Sequence, residues 1–286
     1  MFRKGYLPKT GKWKCDDPMT MFIPAYNERH WLGRYHKPLN IHHPELEVST
    51  IPFARLLGLI VSEGILEKTP WNHNGIARIS ISQVNEKGCR YVEDVLASLP
   101  FSYTHTGHHY RISDRRLTTW LSVLPELQKL AFEKRIPRCW LEQGPIFLSA
   151  LLNGLMAGDG SSIVSPQGHL ISQAYYTSSP DLASDIQELA LKTGHYGYIT
   201  SRDRRGRQIV IAGRASGITQ HILYCVRIKW QPFAYIDYRN YRRLPYAGVV
   251  YCVEVPNGTL YVRRHGKPTF CGNTKPFWPP FAPLSE

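Results

Sequence analysis

Apolar and polar positions change rhythm several times along this chain, and each change marks an element. Residues 49–64, STIPFARLLGLIVSEG, are mostly apolar, with Ser49 or Thr50 as cap and Pro52 tolerated in a first turn, which predicts a helix ending at Glu63-Gly64. Arg78 to Gln83 alternates polar and apolar strictly, the signature of a half-buried strand. Val92, Val95, Leu96 and Leu99 return to helical spacing before Pro100. Two polar-aromatic strands about Gly107 and a short apolar helix, Leu117 to Leu124, come after them.

The pattern then repeats. A helix is predicted over 147–159 and a strand over 169–179. A second helix, capped by Ser179 or Asp181, runs to Gly194 with Leu182, Ile186 and Leu189 on one face. Residues 198–213 read as a hairpin turning at Arg205-Gly206, and Ile218 to Ile228 as a further helix. Residues 1–48 lack periodicity and suggest short strands and loops. Residues 246–273 are β-rich, with turns at Asn257-Gly258 and Gly266-Lys267-Pro268, and the last thirteen residues, with four prolines, look like a tail.

The two halves share a detail beyond their element order. Glu63 and Asp159 each precede a glycine and each follow another by five residues, Gly58 and Gly154, so an internal duplication is the economical account. Glycines at matching places let two helices approach closely, because no Cβ holds the backbones apart. Such packing would bring the two acids together, and paired carboxylates with oxygen ligands call for a hard cation, Mg²⁺ first among them.

Charge narrows the partner. The 286 residues carry 35 Lys+Arg against 22 Asp+Glu, a formal charge of +13, which favours a polyanion. Six scattered cysteines without a C-x-x-C pair argue against structural zinc and a disulfide framework and fit a reducing, intracellular setting. His42-His43 and His108-His109 look like loop or strand-end pairs. Neither a long apolar run nor a signal-peptide core is present, so no membrane partner is expected.

The stretches LLGLIVSEG and LLNGLMAGDG resemble the paired signatures of LAGLIDADG homing endonucleases of the intein-encoded type. The resemblance covers residues 49–244 and implies an α+β fold of two tandem αββαββα repeats, about 49–140 and 141–244, related by a pseudo-twofold axis. The signature helices would form the interface and the sheets would lie in the DNA major groove. It implies Mg²⁺, or another divalent cation, at Glu63 and Asp159, with Gly64 and Gly160 assigned to the same metal site. It also implies a catalytic lysine in a K-x-I-P stretch, matched by Lys134-Arg135-Ile136-Pro137. Lys229 is the candidate for its second-half equivalent, with Arg227 behind it. Arg78, Arg111, Arg202, Arg204, Arg205 and Arg207 are the expected DNA contacts, whereas Tyr175 and Tyr176 are read as packing residues. The expected activity is Mg²⁺-dependent double-strand cleavage of DNA at a long site by a monomer with an internal pseudo-dimer. The setting is the cytoplasm or nucleoid, with a phage as one source of the coding sequence. The rival readings are a splicing element with an inactive endonuclease and an RNA maturase on the same fold.

Residues 245–273 resemble the C-terminal blocks of an intein, so the endonuclease is expected to interrupt remnants of an all-β Hint-type splicing domain. Asn273 would be the cyclising asparagine and Thr274 the downstream nucleophile, opening a flanking tail over 274–286. The histidine usual before that asparagine is replaced by Gly272, and Thr259-Leu260 stands near the place of the upstream one. Residues 1–48 resemble the later part of an N-terminal splicing half. The opening MFRKGYLPKT carries no first-residue nucleophile, so splicing is expected to be incomplete.

Overall fold

A computed structural model describes residues 6–7, 11–12, 19–30, 39–68, 76–168, 170–211, 214–229, 244–249, 253, 255–256 and 258–272. The N-terminal part forms three short antiparallel pairs. β1 (Tyr6–Leu7) pairs with β2 (Gly11–Lys12), β3 (Thr20–Ile23) with β6 (Leu46–Ser49), and β4 (Tyr26–His30) with β5 (Leu39–His43). Met21, Ile23 and Val48 are buried in the main core, so the β3–β6 pair packs against the helices.

Helix α1 (Thr50–Glu63) begins where β6 ends. Ser49 occupies the cap position but its side chain makes no cap hydrogen bond; the Thr50 amide donates to Met19 O instead. Pro52 sits in the first turn, where a missing N–H costs nothing. α1 is buried on nearly every side, as an apolar helix must be when neighbours surround it. Next come β7 (Gly64–Lys68), β8 (Ile76–Ser82), α2 (Glu86–Ala97), β9 (Tyr103–Thr106), β10 (His109–Ile112) and α3 (Arg115–Ser122). Asn85 and Asp114 cap α2 and α3 by accepting from the amides of Gly88 and Leu117. A 3₁₀ turn (Pro125–Gln128) and the short α4 (Arg138–Leu141) lead to the second half.

There α5 (Pro145–Gly158) starts on a proline and ends at Asp159. After it come β11 (Gly160–Val164), β12 (Leu170–Thr177), α6 (Pro180–Lys192), β13 (Tyr196–Arg202), β14 (Gln208–Ile211), β15 (Arg214–Ile218) and β16 (Leu223–Lys229). The sheets have matching orders, β7-β8-β10-β9 and β11-β12-β16-β13. Ser179, not Asp181, caps α6.

Two sequence expectations fail in this half. Residues 218–228 do not form a helix: they end β15 and make most of β16, which pairs with both β12 and β13. Val226 and Ile228 are buried while Arg227 between them faces outward, a period of two that the apolar content of the stretch obscured. The expected hairpin is also rearranged. Gly206 does turn the chain, at φ 80°, but β13 pairs with β16 while β14 pairs with β15, so residues 203–222 form an insertion between neighbouring strands.

The C-terminal hairpin joins β17 (Thr259–Arg264) to β18 (Lys267–Gly272). Its turn is His265-Gly266, with φ of 48° and 75°, one position earlier than expected, so Lys267 and Pro268 lie in the strand. Gly266 O accepts from Ile199 N and from Gln187 Nε2, each at 2.9 Å, which docks the hairpin on β13 and α6. No described helix is long and apolar enough to cross a membrane. Asn273 and Thr274 lie outside the described residues.

Candidate active site

Helices α1 and α5 meet backbone to backbone. A Cβ on Gly58 would stand 2.5 Å from Leu151 O and 2.6 Å from Leu155 N, and one on Gly154 would overlap Arg55 O, so only glycine permits this approach. Contact persists to the last turn, where a Cβ on Gly158 would meet Ser62 Cβ at 2.5 Å and Glu63 Cγ at 3.1 Å. Glu63 and Asp159 therefore leave the paired helices side by side.

Their environment disfavours two free negative charges. Asp159 keeps an opening to solvent but is walled by protein on its other sides. Desolvation first, and the Glu63 charge second, push its pKa up to about 7 against the pull of Lys134 and the neighbouring Tyr175 hydroxyl. Burial also raises Glu63, with Lys134 opposing. Lys134 is the cation common to both. Burial lowers its pKa, and Asp159 and then Glu63 act in the other direction.

Lys134 is held from two sides. Its ammonium donates to Gly64 O at 2.9 Å and Val61 O at 3.1 Å, capping the carbonyl end of α1. Its backbone is pinned on α6. Ser179 Oγ donates to Lys134 O at 2.8 Å, Ile136 N donates to Asp185 Oδ2 at 3.0 Å, and Arg135 grips both Asp185 oxygens at 3.2 and 2.8 Å. Asp185 is only 3% exposed, and sequence reading missed it. An acid inside an otherwise apolar helix face, opposite a K-R-I-P stretch, was the available signal.

Lys229 is placed differently. It ends β16 at the surface with its ammonium 5.8 Å from the centre of the Tyr198 ring, and the register sets it three residues beyond Val226, the strand partner of Tyr175. The structure does not bring it to the acids. Gly64 and Gly160 come directly after the acids, but the Gly64 carbonyl is already engaged by Lys134.

The expected DNA contacts divide by half. Arg78 forms an ion pair with Glu67, and Arg111 stands 3.9 Å from the same carboxylate, so one acid partly neutralises both. Arg202 and Arg227 of the second sheet and Arg204 of the insertion line a cavity of about 400 Å³ with Tyr176 and Thr200. Arg205 is exposed and paired with Asp203 at 2.6 Å, and Arg207 is exposed at the insertion's turn. Arg227 thus belongs with the outward cations rather than with the acids.

Tyr175 packs in the core as expected, fully buried, and its hydroxyl also lies 2.8 Å from Ser62 Oγ, next to Glu63. Only the strand register, which sets it opposite Gly160, exposes that contact.

Comparison with known proteins gives a family-model match for part of the chain. The chain is 25% identical over 271 residues to a DNA-directed RNA polymerase subunit β C-terminal section of Stigeoclonium helveticum, covering 81% of this chain and 25% of that one. It is 24% identical over 272 residues to the ATP-dependent DNA helicase Hel308 of Thermococcus kodakarensis, covering 84% and 24%. It is 26% identical over 157 residues to an ATP-dependent Clp protease proteolytic subunit of Chlamydomonas moewusii, covering 53% and 15%. The chain thus spans a quarter or less of these relatives. Among solved structures, the homing endonuclease I-WcaI bound to its DNA recognition sequence is similar at a TM-score of 0.36 and 12% identity, covering 64% of this chain and 76% of that one. Residues 147–227, which hold most of α5, Asp159 and most of the second sheet, match the model of the LAGLIDADG-like domain.

Proposed function

We propose that the chain is a site-specific DNA endonuclease of the LAGLIDADG homing type, cutting both strands with a divalent cation, Mg²⁺ by preference. One observation carries the reading: two carboxylates converge at the ends of glycine-packed helices, beside one half-buried lysine, in a chain with two sheets of matching order.

The residues fit such a cation. Both groups offer hard oxygen donors, and the burial that raises both, with the Glu63 charge that raises Asp159 further, is offset by a positive ion between them. Among the described residues no three His, Cys, Asp or Glu side chains converge. Glu63 and Asp159 would therefore hold the ion while water and phosphate oxygens complete the shell, as Mg²⁺ commonly requires. When bound, it polarises the scissile phosphate and makes an attacking water more acidic. The chain supplies the rest. Lys134 presents an ammonium to the phosphate or its water from a fixed backbone. Arg202, Arg204 and Arg227 neutralise backbone phosphates and set the duplex in register. A twofold-like pairing of halves matches the dyad of a duplex, so a monomer suffices.

We also infer an intein ancestry. The matched relatives bear the names of a polymerase subunit, a protease subunit and a helicase, and each is matched over a quarter of its length or less. A segment similar to parts of such different proteins is what an inserted element leaves. Residues 1–48 and 245–273 then descend from a splicing domain, with Asn273 and Thr274 in the cyclising and accepting roles.

The test is incubation of purified protein and Mg²⁺ with a plasmid library of genomic fragments from a relative lacking the insertion, with sequencing of the linearised plasmids. A single long site, cut with Mg²⁺ and uncut with EDTA or Asp159→Asn, is expected. Binding without cutting at any divalent cation overturns the reading and favours the maturase rival.

A further inference from the structure

The two sheets are built alike but charged differently, and a single acid makes the difference. Strand register defines their faces, because successive residues point to opposite sides. In the first sheet Ile79, Ile81, Tyr110 and Ile112 are buried, so Glu67, Arg78 and Arg111, with Ser82 and His109, share the outer face. In the second, Tyr175, Val226 and Ile228 are buried, and Tyr176, Tyr198, Arg202, Arg227 and Lys229 lie outward. Each set of four strands carries three cations, Lys68, Arg78 and Arg111 against Arg202, Arg227 and Lys229. Glu67 is the one Asp or Glu in all eight strands.

Glu67 engages both arginines of its face. Its Oε2 accepts from Arg78 Nε, and its Oε1 lies 3.9 Å from Arg111 Nε. That Arg111 nitrogen is buried and has no hydrogen-bond partner among the described residues, so charge alone ties it to the carboxylate. The Glu67 and Arg111 side chains are 28% and 27% exposed, which leaves their attraction only partly screened by solvent. The carboxylate thus cancels part of the charge that the first face would offer to phosphates. Arg78, held through Nε, keeps its Nη groups for the paired acceptors of a guanine edge.

We propose that Glu67 is a specificity-determining residue. It suppresses sequence-independent phosphate binding by the first half and holds Arg78 for base edges, leaving the acid-free second sheet to supply most of the salt-dependent affinity. This rests on the endonuclease reading, which sets both outer faces on the duplex. Specificity is a ratio of affinities, so lowering non-specific attraction raises it as surely as adding base contacts. Each phosphate neutralised steepens the log–log dependence of binding on salt by about 0.9, so the slope reports the charge that each half commits to the backbone.

The experiment measures binding of the full chain in EDTA, at several salt concentrations, by fluorescence anisotropy. The probes are the site recovered from the plasmid library and a random duplex of equal length. Glu67→Gln keeps the side chain's size and removes its charge. It should bind the random duplex more tightly, with a slope steeper by about one to two, one for each released arginine. The ratio of specific to non-specific affinity should fall roughly ten-fold, within the range that one bidentate base contact discriminates. Cleavage of single-mismatch sites in Mg²⁺ should relax in one half of the site alone. Arg202→Ala and Arg227→Ala should instead flatten the slope by about one each. Glu67→Ala repeats the test without an amide oxygen that could still hold Arg78. An ion pair that only braces the sheet predicts a lower melting temperature with slope and ratio unmoved; that result in both Glu67 variants overturns the proposal and leaves the endonuclease reading standing. Relaxation spread evenly over both halves of the site overturns it as well. A wild type that binds neither duplex overturns both.

Discussion

Helices α1 and α5 have the same length, 14 residues, and each delivers an acid and a glycine into a sheet of the same order, but their surroundings have diverged. The α1 end is capped by a lysine that reaches its last carbonyls. Among the described residues the α5 end carries no such cation; the buried Tyr175 of its sheet instead reaches across to Ser62 of α1 at 2.8 Å. On the outer faces, Arg78 and Arg111 share Glu67, while Arg202, Arg204 and Arg227 line a cavity. The backbone resemblance of the halves therefore says little about their chemical equivalence. A twofold arrangement can place two like groups together and still leave each with its own support.

The sharpest way to break this comparison is to remove one acid at a time. Glu63→Gln and Asp159→Asn should each lower double-strand cleavage roughly a thousand-fold, since a metal site stabilises the transition state by several kcal/mol. Binding in a gel-shift assay should persist. If the halves are independent, each variant still nicks its remaining strand; if both acids share the ion, neither strand is cut. Normal linear product from either variant would remove that acid from the site.

The shared lysine gives a smaller effect. Lys134→Met should cost about a hundred-fold in cleavage, the scale of a lost charged donor at a reacting phosphate. Asp185→Ala touches no reacting atom, yet it releases Arg135 and the Ile136 amide, so the Lys134 backbone loses its anchor. A loss of roughly ten-fold is expected, as for a group that orients a functional one. Single-turnover rates on one duplex would check both. An Asp185→Ala enzyme as slow as Lys134→Met would mean that anchoring accounts for all that the lysine does.

Whether a feature is legible in the sequence depends on how far its physics reaches along the chain. The glycine spacing and the two acids lie within single helices, so local sequence carries them, as it does the Ser179 cap. Tyr175 and Asp185 act across elements, and only register and packing place a tyrosine against Ser62 or an acid against Arg135. The misread segment 218–228 shows the same limit. Its apolar positions suit either period, and the need of β12 and β13 for a strand between them decides the outcome. Residue type alone points to Lys229, and its strand sets its ammonium over the Tyr198 ring.

The interface glycines test whether the halves depend on one another to fold. Gly58→Ala and Gly154→Ala each put a methyl into facing backbone, where nothing flexible can yield, so each should destabilise by roughly 1–3 kcal/mol. Gly272→Ala is the control, because nothing lies within 4 Å of its Cβ position. Thermal melts should show one transition shifting downward for the first two variants and none for the third. Two separate transitions would mean that the halves fold without each other.

The gentlest probe of the unequal acids is pH in the absence of metal. The Asp159 pKa rises from 3.8 to about 7 on folding, through burial first and Glu63 second, so between those values the folded chain binds more protons than the unfolded one. Its contribution to stability is therefore complete below about pH 4, declines as pH rises, and is gone above the folded value. Other carboxylates slope the opposite way: Asp114 and Glu188 are held below their usual range by Arg116 and by Lys192 with Arg138, against the burial that raises them. The wild-type curve is thus a sum, and the difference from Asp159→Asn isolates one group, because the amide does not titrate. Melting temperatures in EDTA from about pH 5 to pH 8 should show the variant gaining on wild type as pH rises, with most of the gain reached near pH 7. Added Mg²⁺ should lift wild type at the alkaline end and leave Asp159→Asn nearly unmoved. Parallel curves for the two proteins would show that Asp159 ionises as an ordinary surface acid and that the paired carboxylates exert no strain on the fold.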